Sequence, residues 1–204
     1  MSIPNHWESI YGTKAPDAVS WYRPHLDVSL GLIKRAVPNK SAPILDVGGG
    51  ESTLGEDLVR GGYRHVTVAD ISWTALRVSS RRDTSGLAPI GWVCADVRRL
   101  PFAEASLDVW HDRAVFHFLT ATEDRFAYVE QVVRTVRPGG HVIVSTFGPE
   151  GPESYSGLPV VRYDADRLHA QFGARFQLVE RATEVHVTPW GAPQPFVYCY
   201  CRVS

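Results

Sequence analysis

The residues able to do chemistry stand at the ends of apolar or alternating runs. Asp46, Asp70 and Asp96 each close such a run, and His111-Asp112-Arg113 closes a fourth. A carboxylate accepts hydrogen bonds from hydroxyl, amino and ammonium groups. An imidazole exchanges a proton near neutral pH, and a guanidinium holds an anion. His111 can therefore serve as base or orient an acceptor, Asp112 can orient His111 or take an amine, and Arg113 can hold an anionic acceptor. The same three residues can also be an internal Asp112–Arg113 support. His117 is expected to be structural.

The first acid is followed at once by glycines, in Ile44-Leu-Asp46-Val-Gly48-Gly49-Gly50-Glu-Ser-Thr53-Leu54. Ile44, Leu45 and Val47 predict a buried strand, and the glycines let the backbone turn tightly against a ligand. Ser52 or Thr53 can start a helix through Leu54, Leu58 and Val59. A dinucleotide loop offers bare amides to a pyrophosphate and needs a third glycine where the helix packs on the strand. Thr53 occupies that place, and Asp46 sets a negative charge beside the would-be phosphate. A ligand with an ammonium group and no phosphate suits the loop better. S-adenosylmethionine is one; a phosphate loop with an incidental Asp46 is the alternative.

These groups need elements to position them. His65–Asp70 predicts a second strand, followed by a helix carrying Ala75, Leu76 and Val78. Asp70, with Ile71 after it, can accept from both hydroxyls of a ribose, or merely cap that helix. Gly91–Asp96 predicts a third strand, and Asp96, with Val97 after it, can accept from an adenine amino group or simply shape a turn. Three acids at three successive strand ends point to one crevice at the carboxyl edge of a parallel sheet.

From Ile44 to Phe147 the chain resembles the class I S-adenosylmethionine-dependent methyltransferases. Asp46, Gly48 and Gly50 match the D-x-G-x-G loop, with Gly49 a common variant. Asp70 and Asp96 match the ribose and adenine acids, and Arg137-Pro-Gly-Gly140 before His141–Thr146 matches the glycine hairpin preceding the fifth strand. The resemblance implies an α/β, doubly wound, mostly parallel seven-stranded sheet with an antiparallel terminal hairpin. It also implies S-adenosylmethionine as cofactor, held by Asp46, Gly48, Gly49, Gly50, Asp70, Ile71, Asp96, Val97 and His111. Trp110-His-Asp-Arg-Ala114 and Gly157-Leu-Pro-Val locally resemble thiopurine methyltransferase-like enzymes. Seven-strand protein lysine methyltransferases share the W-x-x-x-Y start and carry D-K-G where Asp112-Arg-Ala114 stands. No N-P-P-[YF] motif of adenine methylation is present.

Aromatics precede the first strand: Trp7, Tyr11, Trp21 and Tyr22. They can cover the cofactor and enclose its sulfonium by cation–π contact, or pin the first helix onto the domain. The 204 residues predict one domain, with a lid and helix over residues 1–36 and the sheet core over 43–204. A helix is expected over Tyr163–Phe172, and the last strands over Phe176–Val187 and Phe196–Val203. The Phe147–Gly157 loop is expected on the active-site side. Arg77, Arg81 and Arg82, and Arg98-Arg99, are expected to be solvated.

A net charge of −1 does not favour nucleic acid or an anionic membrane. No signal peptide or membrane span is evident, and the three cysteines predict a reduced, cytoplasmic protein; Cys199 and Cys201 share one face of a strand. No metal site is expected. The sequence thus predicts methyl transfer to sulfur, nitrogen or oxygen of a small molecule, by a monomer or homodimer. The alternatives are a protein lysine methyltransferase, a non-catalytic adenosyl-binding protein and an NAD-dependent dehydrogenase.

Overall fold

A computed structural model describes residues 2–82 and 86–204. Helices α1 (Ile3–Thr13) and α2 (Asp27–Ala36) flank a 3₁₀ turn at Pro16–Ala18 and precede the sheet. Then follow β1 (Pro43–Val47), α3 (Leu54–Arg60), β2 (His65–Asp70), α4 (Trp73–Ser79), β3 (Ile90–Cys94) and β4 (Leu107–Arg113). The chain continues through α5 (Thr122–Thr135), β5 (Val136–Phe147), a short ribbon of β6 (Ser154–Tyr155) and β7 (Leu158–Pro159), and α6 (Ala165–Ala170). It closes with β8 (Phe176–Val187) and β9 (Pro193–Val203).

The main sheet has seven strands in the order β3-β2-β1-β4-β5-β9-β8. β1 to β5 pair in parallel; β9 runs antiparallel to β5 and β8 antiparallel to β9. The central strands are apolar on both sides because helices cover both faces. Leu32 and Ile33 of α2 and Leu54, Leu58 and Val59 of α3 pack on one face with Ile44, Val109 and Ile143. Tyr128 and Val132 of α5 and Leu168 of α6 pack on the other with Leu45, Trp110 and Val142. The strand order reverses between β1 and β4, and a crevice opens there at the carboxyl ends.

The expected architecture is present, with local differences. β9 begins at Pro193, not Phe196, because the turn is tightened by hydrogen bonds between Thr188 and Ala192 and by Gly191 at φ +87°. α6 is shorter than expected: Asp164 caps its start by accepting from the Arg167 amide, and Phe172 lies beyond its end. The Arg137–Gly140 segment is drawn into β5, whose register against β4 shifts between Leu107 and Val109. Cys199 and Cys201 share a buried face, sulfur to sulfur 3.3 Å. No helix among the described residues is long and apolar enough to cross a membrane.

Candidate active site

The loop after β1 shows why glycine is required. Gly48 has φ +63°, and a Cβ there would stand 1.9 Å from Val115 Cγ2. At Gly49 a Cβ would meet Val68 at 2.5 Å and the Asp46 carboxylate at 2.6 Å, and at Gly50 the Tyr11 hydroxyl at 2.7 Å. The loop amides are engaged inside the protein. Gly48 and Gly49 both donate to the Ala69 carbonyl, at 2.7 and 3.4 Å, and the Gly50 amide donates to the Asp70 carboxylate. Such a loop keeps no row of free N–H groups for a pyrophosphate.

Its free polar atoms are carboxylate oxygens. Asp46 is buried; its Oδ1 accepts from His111 Nδ1 at 2.7 Å, while Oδ2 has no partner among the described residues. Glu51 is buried with both oxygens unpartnered among the described residues, and burial, partly offset by Arg82, raises its carboxyl to about 7. Burial likewise raises Asp70 to about 7, reinforced by the Asp46 charge and opposed by the amides of Ser72, Gly50 and Ile71. Unpartnered buried carboxylates are costly in an empty pocket and suit a cationic or hydroxyl-bearing ligand.

Two chambers meet at the loop. The larger, about 270 Å³, is lined by Asp70, Ile71, Asp96 and Val97, with Leu100, Val115 and Leu119. The smaller, about 80 Å³, is lined by Asp46, Glu51, His111 and Arg113, with Trp21 and Tyr155. Trp7, Tyr11, Gly48, Ala114 and Phe118 border both. The N-terminal aromatics form one cluster: Trp7 and Trp21 are 6.0 Å apart, Tyr11 and Trp21 5.8 Å, and Trp7 and Phe118 5.2 Å. α1 is fastened to α4, whose first amides, Trp73 at 2.6 Å and Thr74 at 3.3 Å, donate to Glu8. The aromatics thus both line the chambers and hold α1 on the domain.

The residues expected after the fourth strand divide between the two sheet faces. His111 is register partner to Asp46, so both project on the face that carries α2. Its Nε2 meets Ser29 Oγ of α2 at 2.9 Å, which leaves neither ring nitrogen open to a substrate. Asp112 points the opposite way, away from His111. It accepts from the amides of Val115 and Phe116 and from the Tyr128 hydroxyl at 2.7 Å, fixing the turn after β4; burial raises it to about 6. Arg113 returns to the chamber side. His117 is fully buried against Phe147, where burial and the Arg113 charge lower it to about 3.

Two arginine expectations need correction. Arg98 is not a free solvated charge: it grips Asp96 through Nε at 2.9 Å and Nη2 at 2.5 Å, and also pairs with Asp124. That guanidinium holds the Asp96 carboxyl below its usual range. The carboxylate expected at adenine is therefore already paired. Arg82 reaches Glu56 at 2.5 Å and the Glu51 carbonyl at 2.9 Å, tying α4 to the glycine loop and α3.

Other lining residues had no motif to flag them. Glu51 is buried by the turn into α3. Tyr155 is delivered by the β6–β7 ribbon, inside the loop expected on this side. Ala114 borders both chambers at φ +74°, a left-handed backbone unusual for a residue with a Cβ. Arg23 lines the smaller chamber and ion-pairs with Glu184 of β8, 161 residues away. Only the folded chain brings these together.

Comparison with known proteins agrees with this fold. Residues 44–140 match the methyltransferase domain family. The eEF1A lysine and N-terminal methyltransferase of Bos taurus is 26% identical over 139 residues, which is 68% of this chain and 20% of that protein. The ubiquinone/menaquinone biosynthesis C-methyltransferase UbiE of Roseobacter denitrificans is 32% identical over 113 residues, 54% of this chain and 44% of that protein. The chain thus spans from about a fifth to less than half of these relatives' lengths. The N-methyltransferase NodS of Bradyrhizobium japonicum, solved with S-adenosyl-L-homocysteine, superposes with TM-score 0.72 at 16% identity, covering 98% of each chain. Residues 44–140 thus match a methyltransferase domain, and the glycine loop, strand-end acids and 3-2-1-4-5 sheet order closed by an antiparallel hairpin give the chain the fold of the class I S-adenosylmethionine-dependent methyltransferases.

Proposed function

We propose that the protein transfers a methyl group from S-adenosylmethionine to a heteroatom of a small molecule. The carrying observation is the pair of chambers joined at the glycine loop, one large and mostly apolar with an acid at the β2 end, the other small and charged. The larger suits an adenosine, with Asp70 taking the ribose hydroxyls and Ile71, Val97 and Leu100 against the base. The loop end, with the free oxygens of Asp46 and Glu51, suits the ammonium of the methionine moiety.

The cofactor supplies an activated methyl on a sulfonium. The protein's part is to bind, align and exclude water. His111 holds the Asp46 carboxylate in place from behind, with Ser29 fixing its ring. This makes His111 a positioning residue and not the base. Asp112 sets the turn that presents Ala114 and Val115 to the chambers. Trp7, Tyr11 and Trp21 close the outer side, where aromatic faces favour a cation.

A protein lysine methyltransferase is the second reading, favoured by the name of the Bos taurus relative. Two guanidiniums in the smaller chamber disfavour a cationic amine there. Calorimetric titration with S-adenosylmethionine, S-adenosylhomocysteine and NAD tests the cofactor. Transfer of labelled methyl to panels of small thiols, amines and phenols, beside lysine peptides, tests the acceptor. Binding of NAD alone, or labelling of peptides alone, would refute the respective half of the proposal.

A further inference from the structure

Two guanidiniums share one carboxylate at the wall of the smaller chamber. The Arg113 side chain is only 6% exposed and lies on the Phe196 ring, its Cζ 4.2 Å from the centroid. It faces Glu184 at 3.5 Å, and its Nε and Nη2 are buried without a hydrogen bond among the described residues. Arg23 pairs with the other oxygen of Glu184, while Tyr198 donates to the first at 2.7 Å. Burial alone would raise Glu184, but Arg113, Tyr198 and Arg23 together hold it below its usual value, so it stays ionised. At this wall two guanidiniums face the single carboxylate of Glu184.

The Nε–Nη2 edge of Arg113 faces Glu184, the guanidinium is a planar fork of the kind that receives a carboxylate, and both Arg113 and Arg23 line the smaller chamber. Arg113 stands two residues beyond His111 on the same face of β4, about 7 Å further toward the carboxyl edge. A hydrogen-bonded row, Asp46–His111–Ser29–Tyr198–Glu184, runs between the loop end and the arginines. The chamber is therefore polarised, negative at the glycine loop and positive at Arg113 and Arg23.

We propose that Arg113, assisted by Arg23, is the receptor for a carboxylate carried by the methyl acceptor, which makes the acceptor a small carboxylate-bearing molecule. This rests on the reading of the protein as a methyltransferase. The competing source of the same chemistry is the carboxylate of the cofactor's own methionine moiety.

The test uses the full chain saturated with S-adenosylhomocysteine, titrated by calorimetry with 3-mercaptopropionate and with 3-mercaptopropanol. The carboxylate probe is expected to bind at least tenfold more tightly. R113Q should erase that preference while changing S-adenosylhomocysteine affinity less than threefold, and R113K should restore part of it. R23Q, at a more exposed arginine, gives the same reading if R113Q melts early. Equal binding of the two probes, or of neither, overturns the proposal. So does a tenfold loss of S-adenosylhomocysteine affinity in R113Q and R23Q with the probe preference intact, which would give the arginines to the cofactor. Failure of the wild-type chain to bind S-adenosylhomocysteine would instead sink the methyltransferase reading beneath it.

Discussion

Asp46 and His111 sit side by side in register on β1 and β4, and their side chains meet at 2.7 Å, Oδ1 to Nδ1. The strand order reverses between these two strands, so the contact lies at the base of the crevice. Because Ser29 takes the other ring nitrogen, His111 orients the acid and has no free atom for a substrate proton.

Replacing His111 should therefore damage cofactor binding more than proton transfer. Loss of a buried hydrogen bond to a charged group costs about 1.5–3 kcal/mol, or about 10- to 150-fold in affinity. H111A is expected to weaken S-adenosylhomocysteine by that factor in calorimetry, with H111N, which keeps a donor, in between. A pH–rate profile that lost its acidic limb in H111A, at saturating cofactor, would restore His111 as base.

Gly48→Ala would place a Cβ 1.9 Å from Val115 and force φ +63° on a residue that resists it. The expected destabilisation is about 2–4 kcal/mol, with cofactor binding lost. Thermal melting and calorimetry read the two effects separately. A fully stable G48A that still binds would mean the loop relaxes freely and that its shape is not what forms the site.

Asp70 gives a pH dependence with a definite sign. Burial raises its folded pKa to about 7, so the folded state holds this proton more tightly than the unfolded chain. The stability it contributes is greatest at acid pH and falls as pH rises from about 4 to 7. Ribose binding runs the other way, because the ionised carboxylate accepts from both hydroxyls. Affinity for 5′-methylthioadenosine, which lacks the amino-acid end, should fall about tenfold from pH 8 to pH 6. E51Q should leave that slope unchanged although Glu51 titrates in the same range. A flat profile would remove Asp70 from the ribose.

Asp112 tests the other face. Three donors, two amides and the Tyr128 hydroxyl, end on its carboxylate in the core. Asp112→Ala strands them and should cost about 3 kcal/mol in denaturant unfolding. Tyr128→Phe removes one donor and should cost about 1 kcal/mol. Any loss of affinity in D112A should follow the loosened Ala114–Phe116 turn. An unaltered unfolding midpoint with abolished methyl transfer would return Asp112 to a chemical role.

The sheet and its glycine loop were legible in the sequence because their signals are local. Apolar runs of strand length, glycines that permit positive φ, and acids at strand ends identify β1, β2 and β3 before any contact is known. The resemblance over Ile44–Phe147 added strand order and cofactor. Facing was not legible around His111: three consecutive residues on a strand alternate sides, and only the register with β1 decides that His111 meets Asp46 while Asp112 meets Tyr128. Ion pairing was not legible either. Arg98 closing on Asp96, Arg82 on Glu56, and Arg23 on Glu184 depend on where helices and the terminal hairpin come to rest. The sequence by itself determined the fold class and the glycine loop with its strand-end acids, since these rest on backbone conformation and short-range pattern. Only the tertiary structure decided which charges remain unpaired in the smaller chamber, because pairing joins residues as far apart as Arg23 and Glu184 and is set by packing.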